Sequence, residues 1–332
     1  MSSRSFFGKL IAFLAIPLLI LTACSSTGGR ETAGGDGEAA EGQVADTEQI
    51  TVAMVTHAVP GDTFWDIVRR GAEENAAKNN VDLIYASDPE GSEQALLIDQ
   101  YVQQGVDGLV VANAKPEALN DSLVAAVEAG IPVVTINAGD AQWEDIGAIT
   151  HFGQPEQTAG EAAGDELAEQ GFTSAICVIQ EQGHVGLESR CEGVANTFPE
   201  TEILYVDSAD MPSVEADLTA KLQAGGEQDV MVTLGAPIAT TALLAKETAG
   251  SDIEIATFDM NAEVAQHLAD GDLAFIVDQQ PYLQGYQAVD SIWLATYGSF
   301  QVGGGELVLT GPAIVRQDQA AEVVEHAELG VR

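Results

Sequence analysis

The sequence predicts an α/β protein made of two doubly wound, parallel-sheet domains. Short β-branched runs alternate with stretches of helical period. The runs are apolar throughout rather than at every second residue, as in strands covered by helices on both faces. The alternation also runs once, breaks and starts again, which argues for two domains rather than one large sheet.

In the first half, strands are predicted at Ile50–Thr56, Val81–Tyr85, Gly108–Ala112 and Ile131–Ile136. A helix fits after the first, starting near Thr63, where Thr63 with Asp66 three residues on reads as a capping box. Its apolar face would be Phe64, Ile67, Val68, Ala72 and Ala76. Helices over Ser92–Gln104 and Pro116–Ala129 follow, the second opened by a proline at its first position and stopped by Gly130 and Pro132. In the second half, strands are expected at Ser174–Ile179, Ile203–Val206, Val230–Leu234, Ile253–Phe258 and Leu273–Val277. Helices are expected near Leu187–Thr197, Ser213–Ala224, Pro237–Thr248, Ala262–Ala269 and Pro281–Tyr297. A last strand falls near Leu307–Val315. Right-handed crossovers are the default for such units.

Residues 1–23 read as a signal peptide. Arg4 and Lys9 are positive, and Leu10–Leu21 is an apolar run too short to span a bilayer comfortably. Leu21-Thr22-Ala23-Cys24 resembles the bacterial lipobox, which implies lipidation of Cys24 and an anchor made of acyl chains. Residues 24–49, rich in Gly, Ala and Glu, read as a flexible linker. The other two of the 3 cysteines, Cys177 and Cys191, form an even pair in an exported chain and favour a disulfide. The charge balance, Lys+Arg 12 against Asp+Glu 52, argues against nucleic acid as a partner, since such a surface repels phosphate.

Ligands of open parallel sheets lie beyond the carboxyl ends of the strands. Polar side chains recur at those ends: His57, Asn113, Asn137, Gln180 and Glu181, Asp259, Gln279 and Gln280. Asn and Asp are common wherever a strand turns into a loop, but six recurrences point to a polar cleft. Groups that donate, accept or do both suit hydroxyls. Phe64 and Trp65, just after the first strand, offer one aromatic to cover the C–H face of a ring and one to the core.

The carrying motifs are Gly61-Asp62-Thr63-Phe64-Trp65, the run Gly108 to Asn113, the run Ile131 to Asn137, Arg190-Cys191-Glu192-Gly193, Phe258-Asp259 and Asp278-Gln279-Gln280-Pro281-Tyr282. With these, residues 50 to about 315 resemble the ribose/galactose-type periplasmic binding proteins, type I receptors of ABC importers, and most closely a simple-sugar subgroup. The resemblance implies two lobes joined by three crossovers, residues 50–153 with 280–310 and residues 154–279 with 311–332. It implies an extracytoplasmic receptor that closes its hinge on a monosaccharide or polyol and passes it to membrane permease subunits, acting as a monomer without cofactor. The site residues it implies are His57, Asp62, Phe64, Trp65, Asn113, Asn137, Glu188, Arg190, Asp259 and Gln279. Three anchors depart from the ribose pattern: Asn137-Ala138 replaces Asp-Arg, Glu188 replaces Arg, and Gly235-Ala236-Pro237 replaces a segment with Asn. Ribose itself is therefore doubtful, and a nucleoside or signalling ligand on the same fold is the rival.

An enzyme is not expected. His57-Ala58-Val59-Pro60-Gly61 after the first strand is no dinucleotide fingerprint, and no Gly-x-Ser-x-Gly elbow occurs. The 5 histidines have no metal-ligand spacing, so no metal is expected. His57 and His184 are the two that could face the cleft. A repressor of the same fold would need a DNA-binding headpiece where this chain has its signal and linker.

Overall fold

A computed structural model describes residues 44–332. The expected signal peptide, Cys24 and most of the linker lie outside them. The part of the linker that is described is tied down. Ala45 N–H donates to Lys78 O at 2.9 Å, and Asn80 Nδ2 donates to Thr47 O at 2.8 Å. The expected linker is thus anchored by its last residues to the end of the first helix.

The first lobe contains β1 (Ile50–Thr56), α1 (Thr63–Asn79), β2 (Val81–Ser87), α2 (Gly91–Gln104), β3 (Gly108–Val111), α3 (Pro116–Glu128), β4 (Val133–Asn137) and β5 (Thr150–Gly153). The second contains α4 (Glu156–Gln170), β6 (Ala175–Ile179), α5 (Val185–Thr197), β7 (Thr201–Tyr205), α6 (Met211–Ala224), β8 (Val230–Thr233), α7 (Ala236–Ala249), β9 (Glu254–Phe258), α8 (Ala262–Asp270) and β10 (Ile276–Asp278). The chain then returns as α9 (Pro281–Gly298) and β11 (Val308–Leu309), crosses again into β12 (Ala313–Val315), and ends in α10 (Ala320–Glu328). The sheets run β11-β5-β4-β3-β1-β2 and β12-β10-β9-β8-β6-β7. All neighbours are parallel except β10 and β12. Central strands such as β3, β6 and β8 are buried along their whole length, which is why their sequences show no alternation.

The predicted elements stand with three differences. β5 and α4 went unread: β5 is short, and α4 is so rich in Gly and Ala that its apolar stripe is faint. The final predicted strand is two, one in each sheet, because the chain changes lobe at Gly311-Pro312. The first helix is capped by Asp62, whose carboxylate accepts from Phe64 N–H at 3.0 Å, and not by Thr63. Its five predicted apolar positions are all buried.

The three crossovers pack against one another. A Cβ on Gly311 would lie 2.9 Å from both Asp278 O and Gln279 Cα and 3.0 Å from Gln154 Oε1, so only glycine fits there. Gln280 Nε2 donates to Thr310 O at 2.7 Å, holding two of the crossovers side by side.

Each lobe also holds one close helix pair. Between α1 and α9, a Cβ on Gly71 would meet Tyr282 O at 2.1 Å, and one on Gly285 would meet Val68 O at 1.9 Å. Neither backbone can yield without moving its helix. Gly285→Ala is therefore expected to destabilise the protein by about 3 kcal/mol, the upper end for overpacking, despite alanine's better helix propensity. Urea unfolding measures this, and an unchanged midpoint would contradict the contact. In the second lobe, α4 and α5 meet at Gly160 and Gly193, where a Cβ would meet Arg190 O at 2.1 Å and Gln157 O at 2.2 Å. Cys177 of β6 is bonded to Cys191 of α5, with Cα atoms 5.8 Å apart. Together these hold α5 against β6 and α4, and α5 carries Arg190.

Candidate functional site

The empty space between the lobes measures about 780 Å³ with its open mouth. It lies beyond the carboxyl ends of β1, β4, β6, β8 and β9, where open sheets place their ligands. The lobes touch around it. Lys115 Nζ lies 2.9 Å from Glu181 Oε1, Asn261 Nδ2 donates to Thr63 Oγ1 at 3.2 Å, and Val185 N–H donates to Ala114 O at 3.1 Å.

From the first lobe, His57, Asp62, Phe64, Trp65 and Asn137 line the cavity. Phe64 and Trp65 meet edge to face at 5.0 Å between centroids, and His57 stands edge-on to Trp65 at 4.9 Å. Both aromatics line the wall while also packing on the lobe's core, so the expected division of one wall and one core residue does not hold. Burial pushes the Asp62 carboxyl up to about 6, against the hydrogen bond from Phe64.

From the second lobe come Arg190 and Asp259. Arg190 is 2% exposed and is clamped by Glu156. Its Nε donates to Oε2 at 2.5 Å and its Nη2 to Oε1 at 2.8 Å. This is the fork geometry that makes arginine–carboxylate pairs strong. Nη1 lies 3.8 Å from Asp259 Oδ2, and the guanidinium sits over the Phe258 ring at 5.1 Å. Burial opposes the Arg190 charge, but Glu156 outweighs it and the pKa is raised. Burial also drives the Asp259 carboxyl up to about 7, with Arg190 pulling back only part of the way.

Gln279 is buried behind the wall and joins the lobes. Asn137 Nδ2 donates to Gln279 Oε1 at 3.1 Å, and Gln279 Nε2 donates to Asp259 Oδ1 at 2.7 Å. Asn137 and Asp259 both hold a left-handed backbone, with φ of 61° and 62°. Asn and Asp tolerate that conformation best, and such strain concentrates at sites that use it.

Three expected site residues do not reach the cavity wall: Gln279, which sits behind it, Glu188 and Asn113. Glu188 turns outward on α5, accepts from Tyr205 Oη at 2.9 Å and lies away from the lining. Glu188 and Arg190 are two residues apart, about 200° around the helix, so α5 can present only one of them inward. Asn113 is fully buried and donates to Asn120 Oδ1 at 3.0 Å, beneath Gly139, whose Cβ would sit 2.8 Å from it. Gln180 and Glu181, named at the end of β6, and His184, named as able to face the cleft, also line the cavity, as do Ser208, Met211 and the backbone turn from Leu234 to Ile238. Gln180 and Glu181 had the signal, since they follow β6. Met211 and Ser208 had none. Glu156, the partner of Arg190, fell in the unread helix α4.

Folding also gathers His57, Glu181 and His184, with candidate ligand atoms within 4.8 Å of one another. Burial lowers the pKa of both histidines, so both are neutral. Sequence spacing could not show this, because His57 comes from the other lobe.

A periplasmic binding protein domain model matches residues 52–299. The chain belongs to the periplasmic binding protein family. It is an extracytoplasmic solute receptor, not an enzyme. Among curated relatives, it is 24% identical over 285 residues to the ribose import binding protein of Bacillus subtilis (strain 168), covering 84% of this chain and 90% of that one. It is 26% identical over 203 residues to the xylitol-binding protein of Mycolicibacterium smegmatis, covering 59% and 55%. Among solved structures, a carbohydrate transporter from Acidothermus cellulolyticus 11B, crystallised with myo-inositol, is 48% identical. It superposes with a TM-score of 0.84, covering 86% of this chain and all of that one. No helix among the described residues of this receptor is long and apolar enough to cross a membrane.

Proposed function

We propose that this receptor captures a monosaccharide or polyol between its lobes, with myo-inositol the first ligand to test, and hands it to the permease subunits of an ABC importer. The observation that carries this reading is the cavity wall. Asp62 and Asn137 face Arg190 and Asp259 across a space closed on one side by Phe64 and Trp65. Hydroxyls can satisfy groups of both lobes at once only when the lobes are shut, so the ligand stabilises closure. An aromatic wall suits the C–H face of a saturated ring. The 48% identical relative solved with myo-inositol supports a cyclic polyol. Attachment of the receptor to the membrane through lipid on Cys24, and a monomeric state, belong to the same proposal.

The test is thermal unfolding of the soluble form against monosaccharides, polyols, nucleosides and amino acids. A ligand at about 1,000 times its Kd adds about 4 kcal/mol, or roughly 8–16 °C for a domain of this class. The expected result is such a shift with myo-inositol or a few other polyols or sugars, and none in Asp259→Ala. A shift with nucleosides or amino acids alone would overturn the ligand class.

A further inference from the structure

We propose that His184 is a specificity-determining contact of the solute site, its Nε2–H donating a hydrogen bond to a hydroxyl oxygen of the bound polyol. The inference rests on the polyol reading above and gives a role to a residue that the sequence named only as able to face the cleft.

His184 is the residue before α5, and its Nδ1 accepts from the backbone N–H groups of both Gly186 and Leu187, at 3.1 and 3.3 Å. These are orphan donors of the first turn, and the imidazole takes the place usually held by Ser, Thr, Asn or Asp. A nitrogen that accepts cannot carry a proton. The partner of one ring nitrogen fixes the other, so Nε2 bears the hydrogen. His184 lines the cavity at 3% exposure, and its one remaining polar group is therefore a donor held at the wall. The neutral state enforced by burial agrees with this.

The neighbouring groups make that donor distinctive. Asp62, Asp259 and Glu181 offer acceptors to the cavity, while Arg190 spends its fork on Glu156. His57 stands edge-on to His184 at 4.8 Å and leaves its own Nδ1 buried without a partner. A metal ion would need a lone pair from His184. Its Nδ1 lone pair is committed to the helix and its Nε2 is protonated. Glu181 is meanwhile held by Lys115 at 2.9 Å. The trio is thus a hydrogen-bonding corner of the solute site rather than a metal centre.

Two substitutions separate the cap from the donor. His184→Asn keeps a good cap but cannot reach where Nε2 stood. His184→Gln places an amide N–H close to that point but caps poorly. Calorimetric titration with myo-inositol and thermal unfolding are run on both, with ¹⁵N-histidine spectra of the wild type. Expected are a wild-type Tm and a roughly ten- to hundredfold weaker Kd for His184→Asn, the usual penalty for leaving one hydroxyl unpaired. His184→Gln should show a lowered Tm and recover most of the affinity, and the spectra should show Nε2–H. Affinity that follows stability, with His184→Gln the weak binder and His184→Asn like wild type, would overturn the contact. So would an Nδ1–H tautomer, or zinc binding that depends on His184. A wild-type chain indifferent to every polyol and sugar would instead remove the ligand class, and the tautomer would still be read on its own.

Discussion

Arg190→Ala is expected to abolish solute binding and to lower the stability of the unliganded protein by about 3–5 kcal/mol, the usual cost of stripping one partner from a buried ion pair. Arg190 and Glu156 are 2% and 1% exposed, and their two hydrogen bonds are 2.5 and 2.8 Å long. Without the guanidinium, Glu156 would keep only Gln154, whose Nε2 donates at 3.0 Å, and Asp259 would lose its one nearby cation. Tm by calorimetry and Kd by titration measure the two effects. A double variant, Arg190→Met with Glu156→Leu, separates them. Removing both charges restores stability, since apolar replacements of buried pairs are often neutral or better. It does not restore binding, because the cavity has still lost its arginine. A single variant as stable as the wild type would show that the pair contributes nothing.

Asp259→Asn is expected to change the pH dependence of both stability and binding, with opposite signs. The Asp259 carboxyl titrates near 7 in the folded chain, against an ordinary 3.8. Between those values the folded state holds a proton that the unfolded state has released. The stability due to this group is therefore lost as pH rises from about 4 to 7, by about 4 kcal/mol in all. Three buried neutral histidines act the other way. The pKa values of His57, His151 and His184 are lowered by burial, that of His151 to about 3. The unfolded chain takes up protons below 6.5 that these rings refuse, so they lower stability as pH falls. The readout is accordingly a difference: wild type minus Asp259→Asn should grow by about 4 kcal/mol from pH 7 to pH 4. Binding runs the opposite way, because a hydroxyl donates more strongly to a carboxylate than to a carboxylic acid. Wild-type affinity should fall by up to about tenfold per pH unit below 7. Asp259→Asn should bind weakly and without that slope. A wild-type affinity that is flat from pH 5 to 8 would sink this account.

Much of the fold was legible from the chain because the relevant forces are local. β-branched runs, helix-stopping glycines and prolines, and an apolar stripe of period 3.6 act within one element. They placed β1, β3, β6, β8 and β9 and most of the helices. They failed at α4, whose Gly and Ala positions exist for close packing on α5 and leave little periodic signal. They failed again at the last strand, where the chain crosses between lobes that sequence patterning does not see.

The site divides along the same line. Residues at strand ends, such as His57, Asn137 and Asp259, could be named because the carboxyl end of a parallel strand is a place that sequence can locate. Which residue of a helix faces inward could not, and so Glu188 was expected alongside Arg190, where Arg190 alone enters. The partners were beyond reach as well: Glu156 lies 34 residues from Arg190 and Gln279 lies 142 from Asn137. The chain by itself determined which elements form and which polar groups end them. Only the packed lobes decided which of those groups meet, which are desolvated and which keep their charge, because burial and pairing depend on neighbours that local pattern does not encode.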